Sequence, residues 1–105
     1  MKGQVIADIK IIPVGTANPG LSQYIAACLD KVKGAPEVIY ELTAMGTIIQ
    51  GSLEQVLDLA RQMHEVPFQK GAQRAVTTII IDDRRDKPGT IEQKVQAVLS
   101  KAADK

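Results

Sequence analysis

Within eleven residues the chain places Tyr40, Thr43, Met45, Thr47 and Gln50, an aromatic plate, a soft thioether, two hydroxyls and an amide. That mixture suits a flat heteroaromatic ligand, held mainly by apolar contact and oriented by a few polar groups. Each residue also has an ordinary use, since threonine is common in strands and methionine fills gaps in bends. Thr16 and Ser22 bracket a loop that enters a helix. They serve there either as turn and cap residues or as polar neighbours of the same ligand. A second set, Arg74, Arg84 and Arg85, offers guanidinium groups that could hold a carboxylate or phosphate at a subunit boundary. Its bland reading is a solvated charged turn.

Catalysis has no visible engine in this sequence. It has no Gly-x-x-x-x-Gly-Lys loop for phosphate, and no Ser/His/Asp set or carboxylate pair can be placed. His64 is the single histidine and lacks partners at metal-ligand spacing, so no metal and no cofactor are expected. It reads as an edge-of-core or solvent-facing side chain. Cys28, the sole cysteine, reads as a small buried hydrophobe.

These residues need elements to position them. Residues 38–42 and 47–50 are β-prone and flank a Thr-Ala-Met-Gly bend, in which Gly46 is expected to supply the backbone angles of a tight reversal. Gly51-Ser52 then stops the strand and opens a helix, with Gln55 at the capping-box position. Upstream, residues 5–13 form a β-branched strand. Its Val5, Ala7, Ile9 and Ile11 share one face; Ile6, Asp8, Lys10 and Ile12 share the other. A helix is expected over 21–33, with Leu21, Ile25, Cys28, Leu29 and Val32 on its inner stripe.

The helix opened by Ser52 is expected to run to residue 65. Leu53, Val56, Leu57, Ala60 and Met63 form its apolar face, and Val66-Pro67-Phe68 breaks it. Residues 75–81 make the fourth strand. A last helix opens at Thr90, with Gln93 at capping-box spacing, and turns Ile91, Val95, Val98, Leu99 and Ala102 inward. The order β-α-β-β-α-β predicts an α+β, ferredoxin-like sandwich: a four-stranded antiparallel sheet, two helices on one face and an extra C-terminal helix. All 105 residues are expected to form one domain. The other sheet face, with apolar residues on both sides of strand four, predicts association with further copies.

Composition narrows the partners. Apolar residues are 45% and charged residues 24%, and 13 Lys+Arg against 12 Asp+Glu leave a net charge of +1. A nucleic-acid partner calls for a basic excess or stripe, and one Phe with two Tyr supplies few base-stacking platforms. No apolar run reaches the roughly 18–20 residues of a membrane span. A lone cysteine and no cleavable signal predict the cytoplasm.

Three stretches together resemble the thiamine-binding family, once an uncharacterised small-protein family. They are Ile11-Ile12-Pro13-Val14-Gly15-Thr16 with Ser22; the run from Tyr40 through Thr43-Ala44-Met45-Gly46-Thr47 to Gly51; and Gly71-Ala72-Gln73-Arg74 with Ile81-Asp82-Asp83-Arg84-Arg85 and Lys94-Val95. The resemblance implies a homo-oligomer built as a dimer of dimers. It also implies binding of thiamine or its hydroxymethylpyrimidine part, with Thr16 and Ser22 beside Tyr40, Thr43, Met45 and Thr47. The family pattern often has a carboxylate where this chain has Gln50. The amide can donate to and accept from a pyrimidine edge but gives a cation no ion pair.

Overall fold

The computed structural model describes residues 4–15, 22–35, 37–86 and 90–103. Its elements follow in the order β1 (Val5–Val14), α1 (Ser22–Lys33), β2 (Ile39–Leu42), β3 (Thr47–Gly51), α2 (Leu53–Gln69), β4 (Arg74–Asp82) and α3 (Ile91–Ala103). The strands form one antiparallel sheet in the order β2-β3-β1-β4, which is the expected ferredoxin-like arrangement. β1 is central because its alternation buries Val5, Ala7 and Ile9 against the helices. Ile49 joins them from β3, Cys28 and Val32 from α1, and Val56, Leu59, Ala60, Met63 and Val66 from α2. By register the opposite face carries Ile6, Asp8, Lys10 and Ile12, flanked by Ile48 and Gln50 on one side and by Val76, Thr78 and Ile80 on the other.

The α1 stripe is rotated from its expected position. Tyr24, Cys28 and Val32 are its buried residues, at i, i+4 and i+8, while Ile25 is exposed. A tyrosine can bury its ring and keep its hydroxyl near water, so it competes with isoleucine for an inner position. Leu21 lies outside the described residues. On α2 Leu57, expected on the apolar face, is exposed and Leu59 is buried in its stead.

α2 does not break at Pro67. It runs four residues past the expected stop at 65, to Gln69, with Pro67 buried inside it. A helical proline has no N–H to give the carbonyl four residues back, here that of Met63. The Cys28 thiol supplies the missing donor, its Sγ 3.6 Å from Met63 O. A tertiary contact from α1 thus satisfies the group that the proline leaves bare. Gly71, just past the helix end at φ 98°, then turns the chain toward β4 in a conformation that favours glycine.

Burial also pushes the Cys28 thiol above its ordinary pKa. The folded chain therefore keeps this proton to a higher pH than the unfolded chain does. The thiol's contribution is complete below the unfolded value and is lost as pH rises through the folded one. Wild-type stability is expected to fall more steeply than that of Cys28→Ala as pH rises above the free thiol value of about 8.5, as read from urea midpoints. Parallel pH profiles would refute the assignment.

Both remaining caps form as expected. Ser52 Oγ accepts from Gln55 N at 3.2 Å and Gln55 Oε1 from Ser52 N at 3.1 Å. Thr90 and Gln93 repeat the exchange at 3.0 and 3.1 Å. α3 itself departs from expectation, because Val95, Val98 and Leu99 stay exposed rather than turning inward.

Gly46 is needed for a different reason from the one its sequence position suggests. Its φ is not positive. Space is what the glycine provides: a Cβ there would sit 2.5 Å from Asp8 Oδ1 and 3.1 Å from Lys10 Cγ.

Candidate functional site

Strand alternation decides which candidate residues meet. Tyr40 pairs with Ile49, and Leu42 pairs with Thr47. These four lie on the helix side of the sheet, because Ile49 belongs to the core. Exposure rises outward across the patch, from Ile49 at 0% and Thr47 at 5% to Tyr40 at 38% and Leu42 at 52%. The result is an apolar step with one hydroxyl on its inner side. Thr47 is nearly buried there, and its hydroxyl is the polar group that a ligand on the step would meet. β1 runs five residues beyond the Ile9–Thr47 pair, and α1 follows it in the chain. Ser22 is exposed in the first turn of α1, and Thr16 lies outside the described residues.

The turn consumes Thr43. Its hydroxyl donates to Gly46 O at 2.8 Å and accepts from the amides of Met45 and Gly46 at 3.2 and 3.0 Å. Thr43 therefore shapes the tip of the hairpin, and its neighbour Met45 stands 76% exposed there. Gln50 goes elsewhere. Three residues beyond Thr47, it faces the opposite side of the sheet, pairing with Ile6 and Ile39. Both ends of its buried amide are occupied, Nε2 donating to Gln4 Oε1 at 2.8 Å and Oε1 accepting from Ile91 N at 3.0 Å. The structure brings Tyr40 and Thr47 together and leaves Gln50 out.

The arginines are likewise separated. Arg74 opens β4, while Arg84 and Arg85 follow its far end, about 30 Å along an extended strand. Arg84 binds Asp86 through two hydrogen bonds of 2.7 and 3.0 Å. Arg85 binds Asp83 at 2.7 Å, and this hydrogen bond holds the Asp83 carboxyl below its usual range. Within one protomer these cations form no common anion site.

His64 is held as the edge-of-core reading expects. Its Nδ1 lies 2.6 Å from Thr77 Oγ1, and its ring is tilted against Phe68 at 5.4 Å. Among the described residues no group of three His, Cys, Asp or Glu side chains could hold a metal. No described helix is long and apolar enough to cross a membrane. A shallow hollow of about 430 Å³ lies away from the hairpin, between the end of α1 and α2, lined by Asp30, Gln55, Asp58 and Gln62. Asp58 is already engaged there by Arg61 and Gln62, whose hydrogen bonds lower its pKa.

Sequence reasoning missed Tyr24. It is buried on the first turns of α1 yet stands outside the contiguous core cluster. The spacing of 24, 28 and 32 was the available signal.

A ferredoxin-like sheet with a small amphipathic step beside its hairpin is an arrangement that can hold a small flat ligand. Comparison with known proteins agrees. The profile of a family described as thiamine-binding protein matches residues 7–99, and the chain belongs to that family. It is 44% identical to the UPF0045 protein YqgV of Bacillus subtilis over 96 residues, 89% of this chain and 92% of that one. A UPF0045 protein of Methanothermobacter thermautotrophicus is 36% identical, over 92% of this chain and 98% of its own.

Among solved structures, a hypothetical protein of Methanocaldococcus jannaschii superposes with a TM-score of 0.82 at 32% identity, covering 90% of this chain and 95% of that one. A Thermotoga maritima protein provisionally assigned to thiamine biosynthesis or salvage gives 0.74 at 25% identity, over 90% and 98%.

Proposed function

We propose that this chain is a non-enzymatic, cytoplasmic binding protein for thiamine or its hydroxymethylpyrimidine moiety, acting as a homo-oligomer built as a dimer of dimers. The observation that carries the reading is the patch on the helix side of β2 and β3. Tyr40 offers a ring face, Leu42 an apolar outer edge and Thr47 a nearly buried hydroxyl. A pyrimidine ring has the matching chemistry, a flat apolar body with hydrogen-bonding edges. Family membership and the salvage-linked neighbour support the same ligand class.

Titration calorimetry tests it. Thiamine or hydroxymethylpyrimidine should bind with measurable heat, and Tyr40→Ala and Thr47→Val should each weaken binding about tenfold, the loss of one stacking face or one hydrogen bond. Absence of heat with both ligands at millimolar concentration would overturn the assignment.

Surface area supports the oligomer. A compact monomer of this mass exposes about 5,700 Å², whereas this chain exposes 7254 Å². The excess, about 1,500 Å², approaches two of the roughly 800 Å² patches that a protomer commits to a standard interface. The radius of gyration, 15.4 Å, is also above the ~13 Å of a compact chain of this length.

A further inference from the structure

α3 is fastened at its root and exposed beyond it. At the root, Ile91 N donates to Gln50 Oε1 at 3.0 Å and Lys94 Nζ meets Asp82 Oδ2 at 2.6 Å. Gln50 and Asp82 both oppose Ile6 across the sheet, so the two anchors sit side by side on the face away from α1 and α2. Past this point α3 makes little contact with any other element. Val95, Val98 and Leu99 fall at i, i+3 and i+4, on one stripe, and are 50%, 67% and 54% exposed. With Lys94 they line a shallow hollow of about 370 Å³. A helix of 13 residues is marginal in water without a packing surface, even when capped. An apolar stripe on such a helix calls for a cover.

We propose that α3 is an assembly arm, its Val95/Val98/Leu99 stripe docking on a second copy of this chain, with Gln50 acting as the latch that sets its angle. The inference rests on the homo-oligomer reading and names the element that carries it. A second copy fits for two reasons. The surplus of exposed area is of the size that self-association buries. The same chain also presents a further uncovered apolar surface, where Ile12 on β1 and Val76 and Ile80 on the edge strand β4 are exposed on the sheet face away from α1 and α2.

The latch needs an amide in particular. Gln50 must accept from the first N–H of α3 and donate to Gln4 at once. This explains a buried polar side chain on a sheet face that has no helix layer of its own, and it gives Gln50 a task away from the ligand.

Light scattering after size exclusion, with sedimentation over a concentration series, tests the proposal on the full chain. Wild type should run as an oligomer of the 11.3 kDa protomer. Val98→Glu and Val95→Lys add charge at positions exposed in the protomer, so both should fold, as circular dichroism will show, yet lose mass. Gln50→Leu should raise the dissociation constant roughly tenfold, the worth of one buried hydrogen bond. A monomeric wild type would overturn the oligomer reading itself, including the case in which α3 folds back on its own sheet. An oligomeric wild type whose mass survives both Val98→Glu and Val95→Lys would overturn the arm and leave the oligomer standing. An unchanged dissociation constant in Gln50→Leu would overturn the latch.

Discussion

Ile49→Ala should cost about 2–5 kcal/mol, the range for emptying an isoleucine-sized site in a packed core, and lower the melting temperature by roughly 10–30 °C. Ile49 is fully buried at the centre of the sheet, between Ala7 on β1 and Tyr40 on β2, with helix residues above it. A domain of this size has only about 5–15 kcal/mol to lose. The truncation also removes the inner wall of the Tyr40–Leu42–Thr47 step, so ligand binding should weaken along with stability. Chemical denaturation measures the first effect and calorimetry at a temperature where the variant is folded measures the second. A loss below about 1 kcal/mol, the mean for an ordinary substitution, would contradict the place given to Ile49.

Gly46→Ala is the second large effect, expected to destabilise by about 1–3 kcal/mol through overpacking. The new methyl would meet the Asp8 carboxylate at 2.5 Å, and that carboxylate is tied to Lys10 on the same strand. Its Oδ1 is buried, without a hydrogen-bond partner among the described residues, and Lys10 Cγ and Ile9 O close the same space at 3.1 and 3.3 Å. The cause can be isolated. If the clash with Asp8 is responsible, Asp8→Ala should relieve most of the cost in the double variant, giving a coupling above about 1 kcal/mol in a mutant cycle. If the turn instead demanded special backbone angles at residue 46, removing a side chain on β1 would change nothing.

Element order was legible because each boundary carries local chemistry. Ser52 with Gln55 and Thr90 with Gln93 are reciprocal caps that need no tertiary information, and both form. The four strands were legible from β-branched runs bounded by turns. What local rules could not supply was satisfaction from a distance. Pro67 reads as a breaker until a thiol thirty-nine residues earlier, Cys28, is found against the carbonyl it orphans. Gly46 reads as a turn glycine until Asp8 is found beneath it.

For the site, part of the answer lay unused in the numbering. Residues 47 and 50 differ by an odd number, so on one regular strand they face opposite ways. Arg74 and Arg84 flank a strand and so stand at its two ends. The mixture of residue types in the hairpin named Gln50 as a site residue, but its engagement with Gln4 and Ile91 depends on where α3 begins. No spacing rule reaches that.

The contact between Cys28 and the Met63 carbonyl gives the chain a built-in clock. The sulfur is shut away while α1 and α2 stay together, and it is the only thiol in the sequence. The speed at which a maleimide captures it therefore counts how often this helix pair parts, with no foreign label or engineered reporter needed.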